Sequence, residues 1–304
     1  MGSERSVRIV TDGSVAVREQ SISILDVTIV PCKVVAGRQT FISSAETSLF
    51  ELGRRLKRTD TATIQAPEYG DFMRVYQQLG KSAIVSIHGA PGLGEFGRQA
   101  RLARNLLPPQ HKVSLFEAPT VGAGLSFLVE ISAQAADRGV SFRAMRLMLE
   151  RIRDEALRTV ILAEGASVLM RRAEITDARS RWQAMIPGTD ALFAVEASTA
   201  RLRLVAQGRN LASAALRRND LFKDLAHPCD AMIVHSGYER AAQDWADQLP
   251  GMLGGKQARV QPGGLDMTPY ARGNYLAIIV YPTLQVVEQI ERFAVRWDRA
   301  LAKK

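Results

Sequence analysis

Short apolar runs alternate with longer amphipathic stretches along this chain, and that alternation constrains its fold more than any other feature. Runs at 7–10, 27–30, 83–87 and 113–116 have the length of strands. The stretches at 69–79, 97–107, 122–139 and 141–158 repeat their apolar residues at helical spacing. A further helix is expected over 44–57, where Leu49, Leu52 and Leu56 share a face and Ser44 can cap it. In the second half, strands are expected at 159–163, 191–195, 201–206, 231–234, 258–261 and 275–280. Helices are expected there at 166–172, 210–225, 238–253 and 283–304, and a turn at 197–199 lets two strands pair. Strand–helix alternation builds parallel sheets covered by helices. The expected fold class is therefore α/β, with two domains whose sheets are mainly parallel and helix-covered. The boundary falls near Arg158: 1–158 form the N-terminal domain and 159–304 the C-terminal one.

A chain of 304 residues buries a sizeable core without disulfides or metal. Cys32 and Cys229 lie far apart and belong to no CxxC or Cys/His spacing, so neither a disulfide framework nor a metal site is expected. Reduced cysteines suit a cytoplasmic protein. No apolar run approaches the ~18 residues of a membrane span, so no stable membrane insertion is expected. Lys and Arg number 40 against 31 acids, a net charge of +9, yet aromatics make up only 6%. Base stacking has little material here, and nucleic acid is not an expected partner.

Gly92, Gly94 and Gly97 satisfy G-x-G-x-x-G between the strand at 83–87 and the helix at 97–107, and Glu117 follows twenty residues after Gly97. Such glycines let a backbone approach a pyrophosphate at a helix N-terminus. This supports an alternative reading as a nucleotide-dependent, NAD-type oxidoreductase. The loop stands off its strand, however, with His88, Gly89, Ala90 and Pro91 between.

The order of several segments resembles the DegV family along essentially the whole chain. Val7 to Ser14, with Thr11-Asp12-Gly13-Ser14, is similar to that family's opening strand and Thr-Asp-Ser loop. Thr63-Ile64-Gln65-Ala66-Pro67, followed by Gly70-Asp71-Phe72, is similar to its T-S-Q-P-S-P-G-D-F segment. Ser86-Ile87 with the stretch 92–102 is similar to "ISS-LSGTYQSARLA", and His235-Ser236-Gly237 to a late H-A-G turn.

The resemblance implies a bacterial fatty-acid-binding carrier. Such a carrier holds one acyl chain between its domains and presents the carboxyl to a fatty acid kinase resembling dihydroxyacetone kinase. It needs no cofactor of its own and is not itself an enzyme. Carried onto this sequence, the resemblance implies a ligand site at Thr63, Gln65, Ser86, His88, Gly92 and Gly94, and a partner-facing Arg209. Some positions depart from the family pattern. Ile64 or Gln65 replaces a Ser, Glu95 enters the head-group loop, and the segment 279–283 lacks the carboxyl-binding His. The ligand is therefore a fatty acid or a related acyl lipid with an altered head-group contact. A paralogue with a regulatory role and no ligand is the remaining alternative.

Overall fold

The computed structural model describes residues 7–15, 25–43, 49, 52, 62–91, 93–164, 169, 189–209, 211, 221–264 and 274–302. In chain order the first half contains β1 (Val7–Asp12), β2 (Val27–Val30), β3 (Lys33–Ala36), β4 (Gln39–Ile42), β5 (Ala62–Gln65) and α1 (Tyr69–Gln78). It continues with β6 (Ala83–His88), α2 (Phe96–Leu106), β7 (Val113–Glu117), α3 (Gly122–Asp137) and α4 (Phe142–Ala156). The second half contains β8 (Arg158–Glu164), β9 (Asp190–Val195), β10 (Leu202–Gly208), β11 (Cys229–Ser236) and α5 (Glu239–Leu253). It ends with β12 (Ala258–Pro262), β13 (Tyr275–Pro282) and α6 (Leu284–Leu301).

The first sheet has the order β2-β1-β6-β7 and is parallel throughout. Its strands read as nearly unbroken apolar runs because helices cover both faces. On one face lie α1 and α2, where Phe72, Tyr76, Ala100 and Ala103 meet Val10 and Ile84. On the other, α3, α4 and α6 pack against Val7, Ile9, Val85 and Ile87.

The second sheet has the order β10-β9-β8-β13-β11-β12. Only β11 and β12 pair in parallel, while the other four pairings are antiparallel. This corrects the expectation of mainly parallel sheets in both halves. Apolar runs identify strands, but the connection sets their direction. The α5 crossover makes β11 and β12 parallel, as strand–helix alternation requires. A hairpin joins β9 to β10, closed by Glu196 N–H to Arg201 C=O at 2.9 Å, at the turn expected from the sequence. β13 returns between β8 and β11 in the opposite sense. A third sheet, β4-β3-β5, is antiparallel and sits apart from the other two.

The expected helix over 44–57 lies mostly outside the described residues; Leu49 and Leu52, which are described, are wholly buried with Val34 and Phe96. Much of the expected helices at 166–172 and 210–225 lies outside them too.

A helix that is apolar on all sides must be covered on all sides. α3 is such a helix, with Leu125, Leu128, Val129, Ile131 and Ala133 buried. It packs on β1 and β6 of the first sheet and on β13 of the second. A Cβ on Gly124 would collide with the Thr120 hydroxyl and come within 2.7 Å of Ile279 Cγ2, so the glycine permits this close approach. Beside it Thr159 donates to Thr120 at 2.9 Å across the junction. The far face of the second sheet is covered by α5 through Trp245, Ala242 and Leu249. The last helix, α6, turns back to the first half and packs along α4.

Glu130 interrupts the apolar surface of α3, and burial pushes its carboxyl above the usual range. A carboxyl raised in this way contributes its stability below its unfolded pKa and loses it as pH rises through the folded value. Glu130→Gln removes that loss. The variant is expected to melt above the parent at pH 7, and the gain should vanish below about pH 4. Thermal melts at the two pH values check this; a variant melting lower at pH 7 contradicts it.

Candidate functional site at the strand ends

In an open parallel sheet, ligands bind beyond the carboxyl ends of the strands where the strand order reverses. In the first sheet that point lies between β1 and β6, since the chain leaves β1 for β2 on one side and β6 for β7 on the other. Asp12 ends β1 and His88 ends β6.

These two residues anchor a buried chain of hydrogen bonds. His88 Nδ1 is 2.6 Å from Asp12 Oδ2, and Nε2 is 2.8 Å from Ser86 Oγ. Ser86 also bonds the Tyr76 hydroxyl of α1 at 2.8 Å. The other Asp12 oxygen accepts from the Ser14 amide at 3.0 Å and from the Ser14 hydroxyl. The Thr11 hydroxyl donates to the Ile87 carbonyl at 2.9 Å, and the Phe72 and His88 rings meet edge to face at 5.3 Å. Gly13 gives the loop room: a Cβ there would collide with the Ser43 hydroxyl and lie 2.8 Å from the Cys32 amide.

Asp12, His88 and Ser86 follow the order of a catalytic triad. All three are completely shielded from solvent. A nucleophile needs space for a reacting carbonyl ~3 Å away, and here Tyr76 occupies the other side of Ser86. Burial pushes the Tyr76 hydroxyl well up, so it remains a neutral hydrogen-bonding group. Burial also lifts the Cys32 thiol to about 11, which keeps it an unreactive packing group. The arrangement fixes two strand ends and the loops that leave them.

The residues expected at the ligand site occupy different places. Ser86 and His88 lie inside this network, with both imidazole nitrogens engaged. Thr63 and Gln65 lie on β5 of the third sheet. Alternation turns Ala62, Ile64 and Ala66 to the core, leaving Thr63 and Gln65 exposed. Gly94 is half-buried, and a Cβ on it would meet the Phe96 ring at 3.1 Å. Gly92 lies outside the described residues. Arg209 is exposed in the turn after β10.

The glycine-rich loop is used for packing. Leu93 is fully buried against the apolar face of the second sheet, with Phe193 and Ile279 in the same cluster. At Gly97 a Cβ would come within 2.8 Å of Glu117 Oε1, so the glycine lets the Glu117 side chain lie close against α2. Glu117 itself pairs with Arg101 of α2, so its carboxylate faces the helix. Glu95 is exposed and pairs with Arg98 at 3.2 Å, away from the buried network. The dinucleotide reading thus loses the acid and the open loop on which it rested.

Asp12, Ser14 and Tyr76 complete the network. The Thr-Asp-Ser resemblance drew attention to the first two. Tyr76 sits one turn after Phe72 on the buried face of α1, and only the fold brings it to Ser86. His235 is the penultimate residue of β11, is buried, and has no hydrogen-bond partner at Nδ1 among the described residues. Among the described residues no cluster of His, Cys, Asp and Glu could hold a metal, and no helix is long and apolar enough to cross a membrane.

The family model described as "Uncharacterised protein, DegV family" matches residues 6–283. A DegV domain-containing protein of Staphylococcus aureus is 20% identical over 158 residues, a stretch covering 51% of this chain and 56% of that relative. The chain thus spans about half the length of the curated relatives it matches. A Thermus thermophilus DegV family protein described by its fatty acid binding is similar in structure at a TM-score of 0.69 and 18% identity, covering 91% of this chain and 99% of that one. The Streptococcus pneumoniae Fatty Acid Kinase B3 protein, loaded with linoleic acid, is similar at 0.67 and 13%, covering 91% and 99%. DegV of Bacillus subtilis, a fatty acid binding protein, is similar at 0.66 and 17%, covering 92% and 100%. The paired α/β architecture, the strand-end loops in their order and the match over residues 6–283 together establish that this chain belongs to the DegV family.

Proposed function

We propose that the chain is a carrier for a fatty acid or related acyl lipid, and that it presents the carboxyl to a fatty acid kinase resembling dihydroxyacetone kinase. One observation carries this reading. The second sheet turns Ile161, Ala163, Phe193, Ala277 and Ile279 toward Ala90 and Leu93 of the switch-point loop. An acyl chain laid on that face gains roughly 0.8 kcal/mol per buried methylene. The family relatives named above, described by their fatty acids, support the same ligand class. The polar end would lie toward Thr63, Gln65 and Gly94. Ser86 and His88 would hold the loop from beneath. No cofactor is needed, because the kinase would bring the nucleotide. Residues 1–158 and 159–304 would act as the two units whose junction holds the ligand. Two buried free cysteines suit a cytoplasmic location.

Mass spectrometry of acyl chains released by denaturing the purified protein tests the reading. One acyl species per chain is expected; a protein that emerges empty and takes up no added fatty acid refutes it. Thr63→Val should weaken carboxylate binding roughly ten- to a hundredfold, as for a lost hydrogen bond to a charged group. Titration of a fluorescent fatty acid measures this, and unchanged affinity would place the head group elsewhere.

Arg209 would meet the kinase. Arg209→Glu should leave acyl binding intact and lower kinase-coupled acyl phosphate formation about tenfold, since reversing one charge at an interface mainly slows association. Equal coupled rates for the two forms would remove Arg209 from the contact.

A further inference from the structure

At the edge of the first sheet opposite Asp12 and His88, the turn between α2 and β7 forms a recess of about 840 Å³ with the start of α4. Arg104, His111, Lys112, Ser114, Phe142 and Arg146 line it, and among the described residues no carboxylate does. Two of the three arginines of α2 are neutralised: Arg98 pairs with Glu95 and Arg101 with Glu117. Among the described residues Arg104 and Lys112 have no ion pair, and Arg146 has only a loose contact of 3.7 Å with Glu150.

Arg104 lies in the last turn of α2, where a cation offsets the helix carbonyls. That accounts for one charge. Lys112 and Arg146 come from the following turn and from α4, and the helix end does not call for them. Three like charges gathered in one concavity repel one another unless an anion joins them. The recess is also firmly built. His111 N–H donates to Pro108 C=O at 3.0 Å, and Ile84 N–H donates to Lys112 C=O at 2.8 Å. Lys112 Nζ stands 4.6 Å over the Phe142 ring. Among the described residues, His111 Nδ1 is shielded from water and has no hydrogen-bond partner, so this side chain packs into the wall of the recess.

We propose that this recess binds a phosphate group. Two guanidinium forks match phosphate oxygens in pairs, while a lysine adds a mobile point charge. The group belongs either to a free phosphorylated compound or to a phosphate-bearing lipid head group. The site is separate from the acyl junction and does not depend on the carrier reading.

The test titrates the full chain with inorganic pyrophosphate by calorimetry at fixed ionic strength. In parallel, co-sedimentation is measured with vesicles of phosphatidic acid in phosphatidylcholine and of phosphatidylcholine alone. Lys112→Ala and Arg146→Ala change exposed side chains, and far-ultraviolet dichroism confirms that both variants fold. Each is expected to weaken binding by roughly tenfold, as for a lost charged hydrogen bond. Binding of pyrophosphate that falls in both variants supports a free phosphate ligand. Binding only to phosphatidic acid vesicles that falls in both supports a head group. Absence of binding to either probe, or binding equally strong in both variants, overturns the proposal.

Discussion

Replacing His88 by alanine should destabilise the protein by about 3–5 kcal/mol, since it leaves buried polar groups without a partner and opens a cavity. The side chains of His88 and Asp12 are fully enclosed, and their contact at 2.6 Å is part of a chain that continues through Ser86 to Tyr76. Without the imidazole, Asp12 Oδ2 loses its partner in a place water does not reach. Among the described residues the carboxylate keeps only its bonds to Ser14. Ser86 also loses one of its two partners, and a cavity opens beside the Phe72 ring, adding a packing cost. Ser86→Ala is the milder companion. It removes a hydroxyl and leaves Tyr76 and His88 each short of one bond, which costs about 1–3 kcal/mol. Urea denaturation checks the order: both midpoints should fall at an unchanged slope, with His88→Ala falling further. A loss below about 1 kcal/mol for His88→Ala would mean that the two strand ends are held by other contacts.

The same variant separates fold from the proposed ligand chemistry. His88 has no nitrogen left for a head group, so its effect on acyl binding should follow its effect on stability. Thr63→Val should do the reverse, weakening binding with little loss of stability, because the Thr63 side chain is exposed on the small sheet.

Much of this architecture is legible in the sequence because its local signals agree. The runs at 7–10 and 83–87 are apolar on both faces, which a strand buried between helix layers requires, and both fall within β1 and β6. The helix expected at 141–158 is observed as α4, started by the Ser141 hydroxyl accepting from the Ala144 amide at 3.1 Å. The Thr11-Asp12-Gly13-Ser14 loop and the loop that follows His88 leave neighbouring strand ends. Strand direction in the second sheet was not legible. β13 pairs with β8 and β11, far away in sequence, and its apolar run would look the same in either direction. The buried network was hidden for a similar reason. Ser86 and His88 are two apart and read as a strand end beside a loop, but their partners arrive from β1 and α1, seventy-six and ten positions away. Thr63 and Gln65 were legible as a polar pair in a strand, whereas their place on a separate antiparallel sheet depends on pairing with Val35 and Lys33.

Gly124→Ala should destabilise the protein by about 2–3 kcal/mol, although glycine to alanine inside a helix ordinarily stabilises by about 0.5–1 kcal/mol. Gly124 is in the first turn of α3, where that helix crosses from the first sheet onto β13 of the second. The added methyl would press on Thr120 and on Ile279 Cγ2, both completely buried. Neither neighbour can rotate away easily. Thr120 is held by the bond from Thr159, and Ile279 is central to the apolar face beneath Leu93. The helix must therefore lift from the second sheet, opening the junction where the acyl chain is proposed to lie. Gly70→Ala is the control. Gly70 is in α1, and a Cβ there meets nothing within 4 Å. That substitution should raise the melting temperature, and Gly124→Ala should lower it and reduce acyl binding with it. If both alanines stabilise, α3 has room above β13, and the two halves are not held at the distance that Gly124 sets.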